Sequence, residues 1–201
     1  MPRLVAFGCS YTFGFGLADV WLFHAGYKCS INAWPNKLGE LLGYEVVNKG
    51  WPGSGQQEIF NIITNFDFKP DDLCVIMWTH FDRLDFFKYT SPKKGERIDK
   101  EHKSYRNYVM LTDKYQSDIT KRNWDIIQHT SLLMRHKGIT SFSLVASDDL
   151  LTRQEHPIEI PGFLENVTWT REDYAHDTLH PGEKSHSILA DAIYAEIKEK
   201  V

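Results

Sequence analysis

An α/β fold with a parallel sheet between two layers of helix is predicted by three features of the sequence. Short, continuous apolar runs recur along the chain. Segments with helical spacing separate them, and loops of small or polar residues follow them. The first run, Leu4 to Phe7, has no polar alternation and stops at Gly8, the pattern of a strand buried on both faces. Trp34, Leu38, Leu41 and Leu42 then recur at helical spacing, with Gly43 placed to cap the helix. Tyr44 to Val47 reads as a second strand. After a glycine-rich stretch, Ile59, Phe60, Ile62, Ile63 and Phe66 repeat with a helical period, and Pro70 lies beyond the end. Leu73 to Trp78 is a third buried strand. A polar helix through Trp124, Ile127, Leu132 and Met134 ends near Gly138, and Ile139 to Ala146 forms the fourth strand. From Gly182 onward, Ile188, Leu189, Ala192, Ile193 and Ile197 mark an amphipathic closing helix.

Strands that alternate with helices require right-handed crossovers and a sheet covered on both faces. The expected architecture is a flavodoxin-like three-layer α/β/α sandwich. Charges, prolines and aromatics break every period over 80–115 and 147–175, so a fifth strand has no clear signal there. A chain of 201 residues is long enough for one substantial core and short for two domains. The expectation is one domain over 1–201 with a charged and aromatic insertion at about 80–115.

Composition narrows the function. Hydrophobic residues at 42% and charged residues at 25% point to a globular chain rather than a disordered or fibrous one. A formal net charge of -4 disfavours nucleic acid as a partner. Cys9, Cys29 and Cys74 are odd in number and lack C-x-x-C spacing, so neither a disulfide framework nor a zinc knuckle is indicated. The apolar run at the N-terminus is too short for the core of a signal peptide, and no segment approaches the length of a membrane span. A cytoplasmic protein in a reducing compartment is expected. No feature speaks to oligomeric state.

Ligands of open parallel sheets bind outside the carboxyl ends of the strands, which directs attention to three loops. The first is Gly8-Cys9-Ser10-Tyr11-Thr12, the second runs from Asn48 to Gly55, and the third begins at Thr79. Ser10 directly follows a buried strand, a position that holds a nucleophile rigidly while its hydroxyl faces the open edge. Serine is also a preferred helix N-cap, and that reading stands beside the first. A nucleophilic serine needs a base, and the base needs a carboxylate. D-x-x-H occurs at Asp99/His102, Asp173/His176 and Asp177/His180, so spacing does not discriminate. Only His180 is followed by Pro181 and the closing helix, which favours Asp177/His180. His176, His180 and His186 are also close enough in sequence for a zinc site, although Pro181 interrupts a continuous ligand face, and the expectation is no metal and no cofactor. Acyl transfer needs donors aimed at an oxyanion, which the amides of Ser10 and Gly53 can supply. Gly50, Gly53 and Gly55 equally suit a tight strand-to-helix connection.

In order and position, these motifs resemble the SGNH hydrolases, also called GDSL-like lipases and esterases. Gly8-Cys9-Ser10-Tyr11-Thr12 is similar to their first block, Asn48 to Gly53 to the second, and Asp177-Thr178-Leu179-His180-Pro181 to the last. The resemblance implies a flavodoxin-like sheet, a nucleophile at Ser10, an oxyanion donor at Gly53, a base at His180 and its carboxylate at Asp177. Two departures stand out. Cys9 replaces a common aspartate. After the third strand the family's G-x-N-D, whose asparagine completes the oxyanion hole, is replaced by Trp78-Thr79-His80-Phe81-Asp82. His80 falls nearest to that asparagine, and its ring N-H is the candidate substitute.

The function expected from these residues is hydrolysis of a small ester, such as an acetyl group on a carbohydrate, through an acyl-enzyme on Ser10. The alternative is a binding module for a carbohydrate or protein, motivated by Phe81, Phe86, Phe87, Tyr89, Tyr105 and Tyr108. The mixed-charge run over 93–103 is a solvated loop and a candidate lid.

Overall fold

The computed structural model describes residues 1–21, 28–81, 84–87, 95–98, 113–146 and 159–201. The sheet begins with β1 (Arg3–Gly8), followed by two short helices, α1 (Ser10–Phe13) and α2 (Ala18–Trp21). Helix α3 (Trp34–Leu42) leads to β2 (Glu45–Gly50), and α4 (Gln56–Thr64) leads to β3 (Asp72–Trp78). A hairpin of β4 (Leu84–Phe87) and β5 (Gly95–Ile98) intervenes before α5 (Asp113–His136), β6 (Thr140–Val145) and the closing helix α6 (Glu183–Ile197).

Four strands form one parallel sheet in the order β2-β1-β3-β6, so the chain reverses direction across the sheet on either side of β1. The apolar runs show why helices cover both faces. Alternate residues of each strand point to opposite sides. Leu4, Ala6, Leu73, Val75 and Met77 join Trp34 and Leu38 of α3 and Leu189, Ile193 and Ile197 of α6 in one core. Val5, Phe7, Cys74, Ile76 and Trp78 join Ile59 and Ile63 of α4 and Trp124, Ile127 and Met134 of α5 in the other. Two cores separated by one sheet make the three-layer sandwich.

Some expected core positions shift. Leu132 is 48% exposed, because five residues beyond Ile127 it lies well around the helix from the buried stripe. In α6 the buried stripe is Ser185, His186, Leu189, Ala190, Ile193 and Ile197, with Ile188 and Ala192 on its margins. Among the described residues of 147–175, a single parallel bridge extends the sheet beyond β6. Ser143 donates its N-H to the Gly162 carbonyl at 2.9 Å and accepts from the Leu164 N-H at 2.8 Å, so one residue pairs where a periodic run would be needed to read a strand.

The expected insertion contains the antiparallel β4-β5 hairpin, outside the parallel sheet, and α5 already begins within its expected limits. Asp85 of β4 fastens the hairpin to the sandwich. Its carboxylate accepts from the Gly55 N-H at 2.9 Å and the Glu58 N-H at 2.8 Å, capping the first turn of α4. The candidate lid at 93–103 and the aromatics Tyr89, Tyr105 and Tyr108 lie wholly or mostly outside the described residues. Among the described residues, no helix is long and apolar enough to cross a membrane.

At the end of the sheet away from the strand C-termini, Arg3 and Asp72 form a two-pronged ion pair, Nε to Oδ1 at 2.8 Å and Nη2 to Oδ2 at 2.6 Å. It joins the first residues of β1 and β3, which are also paired in register.

Leu38 is fully buried between α3 and the sheet. Leu38→Ala is expected to lower the unfolding free energy by about 2–5 kcal/mol in urea denaturation, through lost transfer energy and a cavity.

Candidate active site

The C-terminal edge of the sheet collects the residues singled out in the sequence. Strand β1 ends at Gly8, Cys9 is the N-cap of α1, and Ser10 is the first helical residue. Serine at this position is therefore not the cap. Gly8 is required by close approach, since a Cβ there would overlap Thr12 and stand 2.8 Å from the Met77 carbonyl. The turn into α1 is consequently held tight against β3. Asn48 of β2 braces the same helix. Its side-chain amide donates to the Thr12 carbonyl at 2.7 Å while its Oδ1 accepts from the Gly50 N-H at 2.9 Å.

Ser10 is 4% exposed, and its hydroxyl lies 3.0 Å from His180 Nε2. His180 Nδ1 lies 2.5 Å from Asp177 Oδ2. A carboxylate only accepts, so Nδ1 carries the proton and Nε2 is left to accept from the serine. The serine, histidine and aspartate thus form one hydrogen-bonded line.

The loop that presents His180 is held from several sides. Asp177 Oδ1 accepts from the backbone N-H groups of Leu179 at 3.0 Å and His180 at 2.9 Å. Burial pushes the Asp177 carboxyl up, but these two amides and the His180 ring outweigh it and hold the group below its ordinary value. Asp177 is thereby kept ionised beside the imidazole. The Ala175 N-H donates to the His180 carbonyl at 2.9 Å, closing the turn. Within it Thr178 adopts φ 59, a left-handed conformation that a β-branched residue keeps only under constraint from its surroundings. The segment after α1 supplies further constraint. Gly16 accepts from the His176 N-H at 3.0 Å, and at φ +83 it passes so near Asp177 that a Cβ would stand 2.8 Å from the carboxylate carbon.

The other D-x-x-H pairs have different fates. Asp173 caps α6, accepting from Lys184 N at 3.0 Å, Ser185 N at 2.8 Å and Ser185 Oγ at 2.6 Å. His176 is exposed. Asp99 and His102 lie outside the described residues. His186 does not join a metal-binding face. It is 1% exposed, its Nδ1 accepts from the Trp34 N-H at 3.1 Å, and burial pushes its pKa down to about 3. Among the described residues, no group of three or more His, Cys, Asp or Glu is arranged to hold a metal ion.

The loop that carries Gly53 is tied to the end of the strand that presents Ser10. The Trp51 N-H donates to the Gly8 carbonyl at 2.9 Å, which ties the loop after β2 to the end of β1. Neither the Ser10 N-H nor the Gly53 N-H donates to any described residue. His80, just past β3, sets its ring edge-on to Tyr11 at 6.0 Å between centroids. The preceding loop is held by Gln56, whose Nε2 donates to the Thr79 carbonyl at 2.9 Å.

Sequence reasoning missed the aromatic wall. Tyr11 packs against the His180 ring at 5.7 Å and Phe15 packs against it at 5.2 Å. Trp169 packs on Tyr11 at 5.2 Å and on His186 at 5.2 Å. Arg171 donates from Nη2 to Tyr11 Oη at 3.0 Å. Tyr11 and Phe15 follow the serine closely in sequence and offered a signal. Trp169 and Arg171 come from an aperiodic stretch and offered none.

No protein-family model and no curated protein matches the sequence, whereas solved structures do. One is a carbohydrate esterase whose active site displays divergent catalytic and non-catalytic binding functions, with a TM-score of 0.61 and 11% identity over 99% of this chain and 69% of that one. Another is an acetyl xylan esterase from the rumen bacterium Butyrivibrio proteoclasticus, with a TM-score of 0.60 and 14% identity over 99% of this chain and 64% of that one. A third is a carbohydrate esterase family 2 enzyme with a carbohydrate-binding domain from Corynascus thermopiles (Myceliophthora fergusii), with a TM-score of 0.57 and 14% identity over 98% of this chain and 66% of that one. The chain spans about two thirds of the length of these neighbours.

Asp173→Ala is expected to lower stability by about 0.5–2 kcal/mol at neutral pH, as loss of a helix cap does. The difference from the parent should shrink in acid. Burial opposes ionisation of Asp173, but its bonds to Ser185 and Lys184 hold the folded-state pKa below the ordinary value. Its contribution is therefore complete above the ordinary carboxylate range and is lost as pH falls through the lower folded value. Denaturant titrations of both proteins at a series of pH values check this.

Proposed function

Proceeding from the SGNH hydrolase fold, which this chain shares, we propose that the protein is a serine esterase cleaving a small ester, with an O-acetyl group on a carbohydrate as the preferred candidate. The observation that carries the reading is the line from Ser10 through His180 to Asp177. The carbohydrate part rests on the esterase neighbours of the same fold. In this reading residues 1–201 work as one domain, with the 80–115 segment as an insertion.

The Ser10 hydroxyl attacks the acyl carbonyl as its proton passes to His180 Nε2, and the Asp177 carboxylate stabilises the imidazolium that forms. The N-H groups of Ser10 and Gly53 receive the negative oxygen of the tetrahedral intermediate, with the His80 ring N-H as a third donor in place of the missing asparagine. The intermediate collapses when the alcohol oxygen leaves with the proton from His180. The acyl group is then on Ser10 Oγ. Water attacks this ester with His180 Nε2 as base, and the carboxylic acid departs as Ser10 regains its proton.

The binding-module reading explains the aromatic wall but gives no reason for a histidine held in the tautomer that accepts from a buried serine. Catalysis explains both.

A fluorophosphonate probe should label the protein at Ser10, as read by peptide mass, and Ser10→Ala should abolish labelling. Equal labelling of the two proteins would remove the nucleophile assignment. His80→Ala should lower kcat for a short acyl ester by about 10²-fold if its ring supplies one oxyanion donor, with little change in KM. An unchanged kcat would leave only the two backbone donors.

A further inference from the structure

The side of the site formed by the 169–174 segment carries a cation that has no acidic partner among the described residues. Arg171 is exposed, and among the described residues its guanidinium makes two contacts. One is the hydrogen bond from Nη2 to Tyr11 Oη at 3.0 Å, and the other is its position over the Tyr174 ring, 5.3 Å from the centroid. The adjacent acid, Glu172, reaches Lys184 instead, at 3.5 Å.

Two aromatic side chains therefore hold the guanidinium in place without neutralising it. A planar guanidinium has five N-H donors in a fixed fork that matches a carboxylate, and toward the described residues only one of them is engaged. Its place is set relative to the reacting groups. Tyr11 directly follows Ser10, and its ring packs on His180 at 5.7 Å, so the guanidinium stands one tyrosine side chain away from the base. Trp169 lies against the same tyrosine at 5.2 Å, and Tyr174 is 61% exposed, so aromatic surface surrounds the charge. A sugar whose acetyl ester lies at Ser10 would bring a substituent of its own or a neighbouring ring to this position.

Resting on the serine esterase reading, we propose that Arg171 is a specificity-determining residue that receives the carboxylate of an O-acetylated acidic sugar, of the uronic acid type. The fork of N-H groups pairs with the two carboxylate oxygens, and Tyr11 Oη fixes its orientation. A neutral sugar leaves this cation to water and gains nothing from it.

The test compares acetylated galacturonate oligomers with the same oligomers methyl-esterified at the carboxyl, for the full chain, Arg171→Gln and Arg171→Lys. The parent should favour the acid over its methyl ester by about tenfold or more in kcat/KM, mainly through KM, as expected for a charge-assisted pair. Arg171→Gln should bring that ratio close to one, and Arg171→Lys should retain part of it. A merely structural role, in which loss of Arg171 displaces Tyr11, would lower both rates together and leave the ratio unchanged, which would overturn the proposal. So would a parent that treats the acid and the ester alike.

Calorimetric binding of unacetylated oligogalacturonate and its methyl ester to the Ser10→Ala protein, with and without Arg171→Gln, separates this proposal from the esterase reading. Charge-selective binding that depends on Arg171, in a protein whose Ser10 is never labelled, would retain the subsite and discard the esterase. Labelling of Ser10 with equal binding of acid and ester would do the reverse.

Discussion

A hydrogen bond between Ser10 and His180 joins residues 170 positions apart, and the arrangement at the edge of the sheet depends on it. The serine is set by the first strand and the histidine by the loop before the last helix. In the serine-esterase reading neither acts without the other, since a serine hydroxyl is a weak nucleophile until a base accepts its proton. The fold must therefore bring both ends of the chain to one rim and hold them within a few tenths of an ångström. Helix α6 does this by packing beside α3 over the sheet face that carries Leu4 and Ala6 of β1. The strand that presents Ser10 and the helix behind His180 thus share one core.

The local devices on the two sides of that bond differ. On the serine side, rigidity comes from crowding, with Gly8 against Thr12 and Met77 and with Asn48 bound to the α1 backbone. On the histidine side it comes from a polar network. Asp173 ties the loop to the first turn of α6, Asp177 folds the loop around its own carboxylate, and Gly16 lets the segment after α1 lie against that carboxylate. Two aspartates four residues apart thus divide the work, one holding the helix and the other facing the imidazole. Their identical D-x-x-H context hides that division at the level of sequence.

Much of the fold was legible because the strands of a doubly covered parallel sheet must be apolar throughout. Leu4 to Phe7 and Leu73 to Trp78 stand out on that ground alone, and Gly43 and Pro70 mark helix ends by their backbone limits. The bridge at Phe163 was not legible, since one paired residue leaves no period. The short helices α1 and α2 were also missed, because four residues are too few to show helical spacing. At the site, Ser10, Asp177 and His180 could be selected from chain order and motif context. The contacts of Asp85, Trp169 and Arg171 could not, because each links segments far apart in sequence and carries no local pattern.

If Ser10 and His180 act as one unit, their contributions to turnover cannot multiply. The most direct measurement is the rate of p-nitrophenyl acetate hydrolysis by the parent, Ser10→Ala, His180→Ala and the double variant, under identical conditions. Each single change should lower kcat to about the level of the double variant, because removing either partner already disables the nucleophile. Single losses that multiply in the double variant, or a His180→Ala protein as active as the parent, would contradict action as one unit.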